Sequence, residues 1–317
     1  MASGRSDLLR AVALFAGLVG CRARADVVMT TPPPVEPTRD VPTSMLRDGE
    51  IELRFASSTS RSKCRVSVGA DGTIGTAPDL HPASLTMDAA FDLVPMPSGE
   101  LGLQLGPLRM ILTVDNAVVA AQRIDAEGFE TNERGVVERA RVADDVAARQ
   151  AIELLLGAPR HFIRLDERGV PTARRTDLPP ELAAISDKMD LWSSWLFAMP
   201  VLPRIASKGD CWKGTRSMAI SAALQPPPSV ELRYCLESFD ADLAVITADG
   251  VSEGELTHPD RNATSHARWS LHSKATVARV GGRLLDAEQS GHIDMMTTVK
   301  LPASLRWAST ISCTAAH

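Results

Sequence analysis

Alternating apolar and polar positions predict a run of short strands between residues 49 and 128. The segment Ile51–Phe55 alternates with a period of two, which is typical of a half-buried strand. The same pattern and short apolar runs predict further strands at Cys64–Val68, Leu85–Leu93, Leu101–Leu105, Leu108–Val114 and Ala117–Ile124. Asp115-Asn116 is a turn signal between the last two segments, so we expect a hairpin there. Ala70-Asp71-Gly72-Thr73 has the composition of a turn and is expected to end a strand.

Two helices are predicted in the middle of the chain. The first is capped by Asp144 and ends at Leu156, before Gly157. The second follows Asp177 and ends before Pro200. Apolar residues at steps of three and four form one stripe along this second helix: Leu182, Ile185, Met189, Trp192, Leu196 and Met199.

The last third of the chain returns to strands. Alternation is clearest from Arg268 to Val277, and Gly281-Gly282 is predicted as a two-residue hairpin turn. Ala248-Asp249-Gly250 follows the predicted strand Leu243–Thr247 and has the composition of a turn. Strand–helix–strand order predicts an α+β fold, in which a curved, mainly antiparallel β-sheet packs against two central helices.

The predicted body of the protein is residues 49–317. It is divided into a strand-rich part (49–128), a helical middle (136–200) and a second strand-rich part (205–317).

Three histidines of the last third, His266, His272 and His292, are numerous enough to hold zinc. The predicted turn places His272 opposite Gly291. His292 then points to the other face of the sheet, because an offset of one residue reverses the direction of a side chain. Because His272 and His292 are predicted on opposite faces, we expect no metal site. Only a bulge, which would change this register, could bring them together.

The first segment has the features of a secretory signal. Arg5 and Arg10 precede the apolar run Ala11–Val19, which has about half of the roughly 20 residues that a membrane-spanning helix needs. Leu18-Val19-Gly20-Cys21 resembles the lipobox of bacterial lipoproteins. The resemblance implies that residues 1–20 are a signal peptide, that cleavage occurs before Cys21, and that a lipid on the Cys21 sulfur anchors the protein in a membrane.

Two alternatives stay open for this segment. Cleavage at the small-x-small site Ala23-Arg24-Ala25 would release a protein without lipid, and an ordinary Cys21 would leave an uncleaved helix. Arg22, which is not acidic, follows the cysteine. By the sorting rule of some lipoproteins, this implies the outer membrane of a Gram-negative bacterium. Residues 21–48 are rich in proline and predict an extended tether.

Charge and composition argue against several classes of function. The net charge of −5 and the lack of a basic block argue against a nucleic-acid partner. Aromatic residues make up 4% of the chain, which argues against a carbohydrate-stacking surface. The sequence contains no Gly-x-Ser-x-Gly, no His-Glu-x-x-His and no phosphate loop. We therefore predict a protein that is not an enzyme and needs no cofactor.

Four cysteines remain once Cys21 is set aside: Cys64, Cys211, Cys235 and Cys313. An even number of cysteines in an exported protein predicts two disulfides. Spacing does not choose among the three possible pairings, and free buried thiols are the alternative.

The body also resembles β-rich bacterial envelope lipoproteins of a domain-of-unknown-function family. The resemblance is carried by Met199-Pro200-Val201-Leu202-Pro203, Gly209-Asp210-Cys211-Trp212 and Tyr234-Cys235-Leu236. These motifs are structural, so they imply a fold and no activity. In outline the chain is similar to lipoprotein carriers that curve one antiparallel sheet around helices.

Two hypotheses follow for the function. The first is a binding protein in which the sheet and helices enclose a lipid or another apolar ligand, in a pocket lined by Trp192, Leu196 and Met199. The second is a structural lipoprotein with a solid core and no ligand, which contacts another envelope protein.

Overall fold

The computed structural model describes residues 46–47, 49–56, 60–76, 79–133, 135–179, 182, 191–217, 229–258, 263–297 and 301–315. The predicted signal peptide, the lipobox and nearly all of the predicted tether lie outside the described residues.

The described residues form sixteen strands and two helices. The strands are β1 (Glu50–Glu52), β2 (Ser62–Thr76), β3 (Asp79–Pro95), β4 (Leu101–Val114), β5 (Ala117–Asp125), β6 (Gly128–Glu133), β7 (Val136–Arg141), β8 (His161–Leu165), β9 (Pro171–Thr176), β10 (Ile205–Ser207), β11 (Cys211–Ser217), β12 (Ser229–Phe239), β13 (Leu243–His258), β14 (Ala263–Ala278), β15 (Leu284–Thr297) and β16 (Leu301–Ala315). The helices are α1 (Val146–Leu156) and α2 (Leu191–Ala198).

Fourteen of these strands form one open antiparallel sheet. From edge to edge its order is β11 to β16, followed by β2 to β7. The C-terminal strand β16 therefore pairs with β2, the first strand of the sheet in the sequence. Strands β8 and β9 branch off β4, and β1 pairs with β10 in a small separate sheet.

The prediction of an α+β fold with two central helices is wrong. In the described part of the chain, 68% of the structure is strand and 8% is helix. Helix α1 lies against β4, β6 and β7, and α2 lies against β11 and β15. The strands are far longer than predicted, since β2–β4 and β13–β16 each contain 14 to 17 residues.

Two glycine-containing segments predicted as turns lie inside long strands. Gly72 is within β2 and Gly250 is within β13. A Cβ on Gly250 would lie 2.6 Å from the Glu231 carbonyl oxygen, and a Cβ on Gly72 would clash with the Ser304 carbonyl oxygen. Glycine at these positions permits the close approach of the neighbouring strand instead of a reversal of the chain.

The two predicted hairpins have different outcomes. The Asp115-Asn116 turn is confirmed, and its φ angles of 51° and 63° are those of a type I′ turn. The predicted register at Gly281-Gly282 is wrong. The N–H of Ala278 bonds to the carbonyl oxygen of Arg283, so the loop is longer than two residues, and β14 and β15 shift register at Thr276.

The first predicted helix is confirmed with a corrected cap. The Asp145 carboxylate, and not that of Asp144, accepts hydrogen bonds from the N–H groups of Ala147 and Ala148. The helix ends at Leu156 as predicted. Of the second predicted helix, the described part is α2, and most of the residues before it lie outside the described residues.

The inner face of the sheet packs on residues 195–206, which we call the core segment. Trp195, Met199 and Leu202 are each at most 1% exposed. Two side chains from the edge strand β11 hold this segment. Trp212 Nε1 donates to the Val201 carbonyl oxygen at 2.6 Å, and the Arg216 guanidinium donates to that of Met199 at 2.7 Å. Burial lowers the pKa of Arg216.

The predicted disulfides are confirmed, and the structure gives their pairing. Cys64–Cys313 joins β2 to β16 on the inner face, where both cysteines are buried. Cys211–Cys235 joins β11 to β12 on the outer face. Two disulfides indicate an extracellular or periplasmic protein. Among the described helices, none has the length and apolar character needed to cross a membrane.

Candidate ligand groove on the outer face of the sheet

The interface between the sheet and the second helix, which is predicted to enclose a ligand, is filled at Met199. This side chain is fully buried, and a Cβ on Gly169 would lie only 2.7 Å from its Cε atom. Leu196 is half-buried and packs against the core, while the side chain of Trp192 is outside the described part. A pocket at Trp192 and Leu196 stays a prediction.

A groove of about 850 Å³ lies on the opposite, outer face of the sheet, over β2 to β6. We call it the outer groove. Residues that alternate with the buried Cys64 and Val66 point away from the core, which identifies the face. The side chains that line the groove from this face are Arg65, Ser67, Asp88, Ala90, Arg109, Ile111, Ala121, Arg123, Asp125, Glu130 and Asn132.

A bulge in β4 shapes the outer groove. Leu105 pairs with Phe91 and Leu108 with Ala89, so Gly106 and Pro107 together face Ala90. A Cβ on Gly106 would lie 2.9 Å from the Ala90 carbonyl oxygen, which favours glycine there. Proline is tolerated at a bulge because the ladder is already interrupted.

The partner of β4 changes at this bulge. Before it, Leu101–Leu103 pairs with β8, and after it, Leu108–Val114 pairs with β5. A bulge bends its strand and increases the local twist. Strands β5 to β7 and strands β8 and β9 thus extend from two different parts of β4, and the outer groove is lined by β4 and β5 residues beyond the bulge.

The floor of the outer groove is apolar. Ala90, Ile111 and Ala121 are half-buried on a face whose other positions are mainly polar. Such a floor offers a place for an apolar chain or ring.

Three arginines surround this floor. Arg123 donates to Asp125 at 2.6 Å and lies 3.5 Å from Glu127. Its hydrogen bond to Asp125 raises the pKa of Arg123. Burial favours a higher pKa for Asp125, but hydrogen bonds from Arg123 and the Glu127 N–H lower it overall.

The other two arginines of the outer groove, Arg65 and Arg109, have no carboxylate within 4.0 Å among the residues described. Asp88 accepts a hydrogen bond from the Ser67 hydroxyl at 2.5 Å. Glu130 pairs with Arg139 at 2.8 Å. The groove thus combines an apolar floor with two unpaired guanidinium groups.

No local sequence motif marks this site. The three arginines of the groove lie on three different strands. In the sequence, Arg65 comes more than 40 positions before Arg109 and Arg123. A signal exists only in the register, which the bulge at Gly106-Pro107 determines.

His272 and His292 lie on the same face of the sheet, so the register predicted for them is wrong. The shift at Thr276 pairs His272 with Ser290 and His292 with Ser270, so both point outwards. Each has an aspartate partner: His272 with Asp249 at 2.7 Å, and His292 with Asp294 at 2.8 Å. In the ranges that the structure describes, no group of three or more metal-ligating side chains is present.

Comparisons with known proteins do not establish a family. No family model matches the sequence, and no curated protein matches it. A lipovitellin structure titled for its lipid–protein interactions aligns with a TM-score of 0.44 and 8% identity, over 82% of this chain and 25% of that one. The present chain thus spans a quarter of the length of that neighbour.

Two further solved structures align more weakly. DynF from the dynemicin biosynthesis pathway of Micromonospora chersina has a TM-score of 0.21 and 8% identity, over 90% of this chain and 92% of that one. OccK11 of Pseudomonas aeruginosa has a TM-score of 0.12 and 8% identity, over 79% of this chain and 62% of that one. These TM-scores are too low to assign a shared fold or function.

Proposed function

We propose that this protein is an exported, lipid-anchored binding protein that holds an amphipathic ligand in the outer groove. The observation that carries the proposal is the apolar floor of Ala90, Ile111 and Ala121 beneath a charged rim, in a groove of about 850 Å³. Binding sites for small molecules are typically concave and apolar, with a few polar groups that orient the ligand. The proposal places the ligand on the outside of the sheet and assigns the protein no catalytic step.

The anchor is proposed from the sequence and the compartment together. The lipobox-like Leu18-Val19-Gly20-Cys21 implies lipid on Cys21, and two disulfides fit an oxidising compartment. Several acyl chains on one cysteine would hold the protein firmly, because each buried methylene contributes about 0.8 kcal/mol. Arg22 favours the outer membrane of a Gram-negative bacterium.

A second candidate is the structural lipoprotein with a solid core. The filled interface at Met199 favours it, because this part of the core leaves no room for a ligand. It differs from the first proposal in expecting a protein partner and no occupant of the outer groove.

The substitution Ile111→Asn tests the outer groove. Because Ile111 is half-buried on the floor, we expect dodecanoate below its micelle concentration to bind the variant roughly fivefold more weakly than the wild type. Isothermal titration calorimetry on the soluble body gives the affinity. Val251→Asn, at a 61% exposed position on β13, is the matched control and should bind like the wild type.

Two results would count against binding in the outer groove. One is equal affinity in the wild type and Ile111→Asn, which would place the ligand elsewhere. The other is no detectable binding of any amphiphile, together with a defined protein partner in cell crosslinking, which would favour the solid-core candidate.

The lipid anchor is tested by Cys21→Ser in the full-length chain. We expect metabolic labelling with radioactive palmitate to mark the wild type and not the variant, because the thioether needs the Cys21 sulfur. An immunoblot for the body confirms that both are expressed. Equal labelling of the two proteins would contradict the anchor and leave the groove proposal untouched.

A further inference from the structure

We infer that the ligand group recognised in the outer groove is an oxyanion, a carboxylate or a phosphate, held by Arg65 and Arg109. The inference rests on the proposed function, since it assigns a head group to the ligand of the same groove. Two observations support it. One is the cross-strand register around Arg109, and the other is that each carboxylate of the groove already has a partner other than Arg65 or Arg109.

Arg109 lies directly opposite Arg123 in the pairing of β4 with β5. Like charges directly opposite on neighbouring strands are destabilising. Arg123 lies within 4.0 Å of Asp125 and Glu127, whereas Arg109 has no carboxylate within 4.0 Å among the described residues. An anion bound at Arg109 would pair with this guanidinium and offset its repulsion with Arg123.

Asp88 lies opposite Arg109 on the other side, in the pairing of β3 with β4. It nevertheless forms no ion pair with Arg109 within 4.0 Å, and its carboxylate accepts the Ser67 hydroxyl instead. The negative charge of Asp88 would repel an anion. The oxyanion must therefore sit towards the guanidinium groups and away from Ser67.

Arg65 supplies the second guanidinium. It pairs with Ala90 across β2 and β3, beside the bulge at Gly106-Pro107. Both Arg65 and Arg109 are exposed and line the same groove, with the apolar Ala90 between their strands. The planar guanidinium fork matches the geometry of a carboxylate or a phosphate, to which it can donate two parallel hydrogen bonds.

An apolar floor beneath two free guanidinium groups thus fits an anionic amphiphile, with its chain on Ala90, Ile111 and Ala121 and its head at the arginines. Inorganic phosphate shares the head chemistry and lacks the chain. The two sources are therefore distinguishable by whether the chain adds affinity.

The experiment measures the binding of five probes by calorimetry: dodecanoate, dodecyl phosphate, inorganic phosphate, neutral dodecyl maltoside and dodecyltrimethylammonium. For the wild type we expect the two anionic amphiphiles to bind at least roughly tenfold more tightly than the neutral and cationic ones. Arg65→Gln and Arg109→Gln should each lose roughly tenfold in affinity for the anionic amphiphiles, and affinity for dodecyl maltoside should not change.

Two further variants test the charge of the groove and control for unspecific effects of losing an arginine. Asp88→Asn should bind dodecanoate more tightly than the wild type, because it removes the repelling charge. Arg268→Gln, on the outer face of β14 and outside the lining of the groove, is the matched control and should bind dodecanoate like the wild type.

The outcomes distinguish the inference from the proposed function. Equal binding of anionic and neutral amphiphiles, unchanged in Arg65→Gln and Arg109→Gln, would overturn the oxyanion and leave the amphiphile-binding groove. Inorganic phosphate binding as tightly as dodecyl phosphate would retain the oxyanion and overturn the amphiphile. Failure of every probe to bind would overturn both.

Discussion

Replacing Cys64 and Cys313 together by alanine is expected to lower the free energy of unfolding by about 5 kcal/mol. The bond joins residues separated by 249 positions, and loop-closure entropy grows with the length of the loop that a disulfide closes. It also lies where β16 pairs with β2, which is the seam between the first and last parts of the sheet. Guanidinium denaturation followed by circular dichroism gives the value.

The second disulfide provides the matched control. Cys211–Cys235 closes a loop with a separation of 24 residues on the exposed face of the edge pair β11–β12. Its removal by the double alanine variant is expected to cost about 3 kcal/mol. A larger loss from this pair than from Cys64–Cys313 would contradict the importance of the seam.

Leu202→Ala is expected to lower the free energy of unfolding by about 3 kcal/mol. Leu202 is 0% exposed in the core segment, and its N–H donates to the Arg168 carbonyl oxygen at 2.9 Å. Its side chain also closes the space over Gly282, where a Cβ would lie 2.6 Å from the Leu202 Cδ1 atom. Truncation leaves a cavity that this rigid surrounding cannot fill.

Val280→Ala is the control for this measurement. Val280 is 90% exposed in the loop between β14 and β15, so its truncation should change stability by less than about 0.5 kcal/mol. Similar losses for Leu202→Ala and Val280→Ala in urea denaturation would mean that the core segment does not stabilise the sheet as described.

Local patterns were sufficient for features that depend on a few neighbouring residues. The hairpin at Asp115-Asn116 follows from two residues that tolerate positive φ, and the end of α1 at Leu156 follows from Gly157 and Pro159. The two disulfides follow from an even number of cysteines and the predicted export. Their pairing does not, because it depends on which strands are neighbours.

The fold class could not be predicted because strand length and strand order are not local properties. The residues around Gly72 and Gly250 predict turns, yet each glycine lies in a strand that approaches its neighbour closely. A glycine needed for contact and a glycine needed for positive φ look alike in a sequence. When both glycines are assigned to turns, the predicted strands are too short and the two helices make up too large a share of the predicted fold.

Bulges account for the errors at the candidate sites. One shift at Thr276 moved His292 to the face of His272, and the bulge at Gly106-Pro107 positions Arg109 beside the outer groove. An extra residue in one strand reverses the direction of every side chain beyond it. The position of a bulge depends on the pairing strand, so a single sequence does not specify which residues share a face.

The pairing of β16 with β2 has a consequence for the order of folding. These neighbouring strands are far apart in the sequence, since the cysteines that join them are separated by 249 positions, so the pair forms only after a long loop has closed. Such a high contact order slows folding and leaves an unpaired edge exposed during the delay. Until β16 pairs with it, the free edge of β2 is a place where a second unfolded chain can pair, so we expect aggregation during refolding to increase with protein concentration.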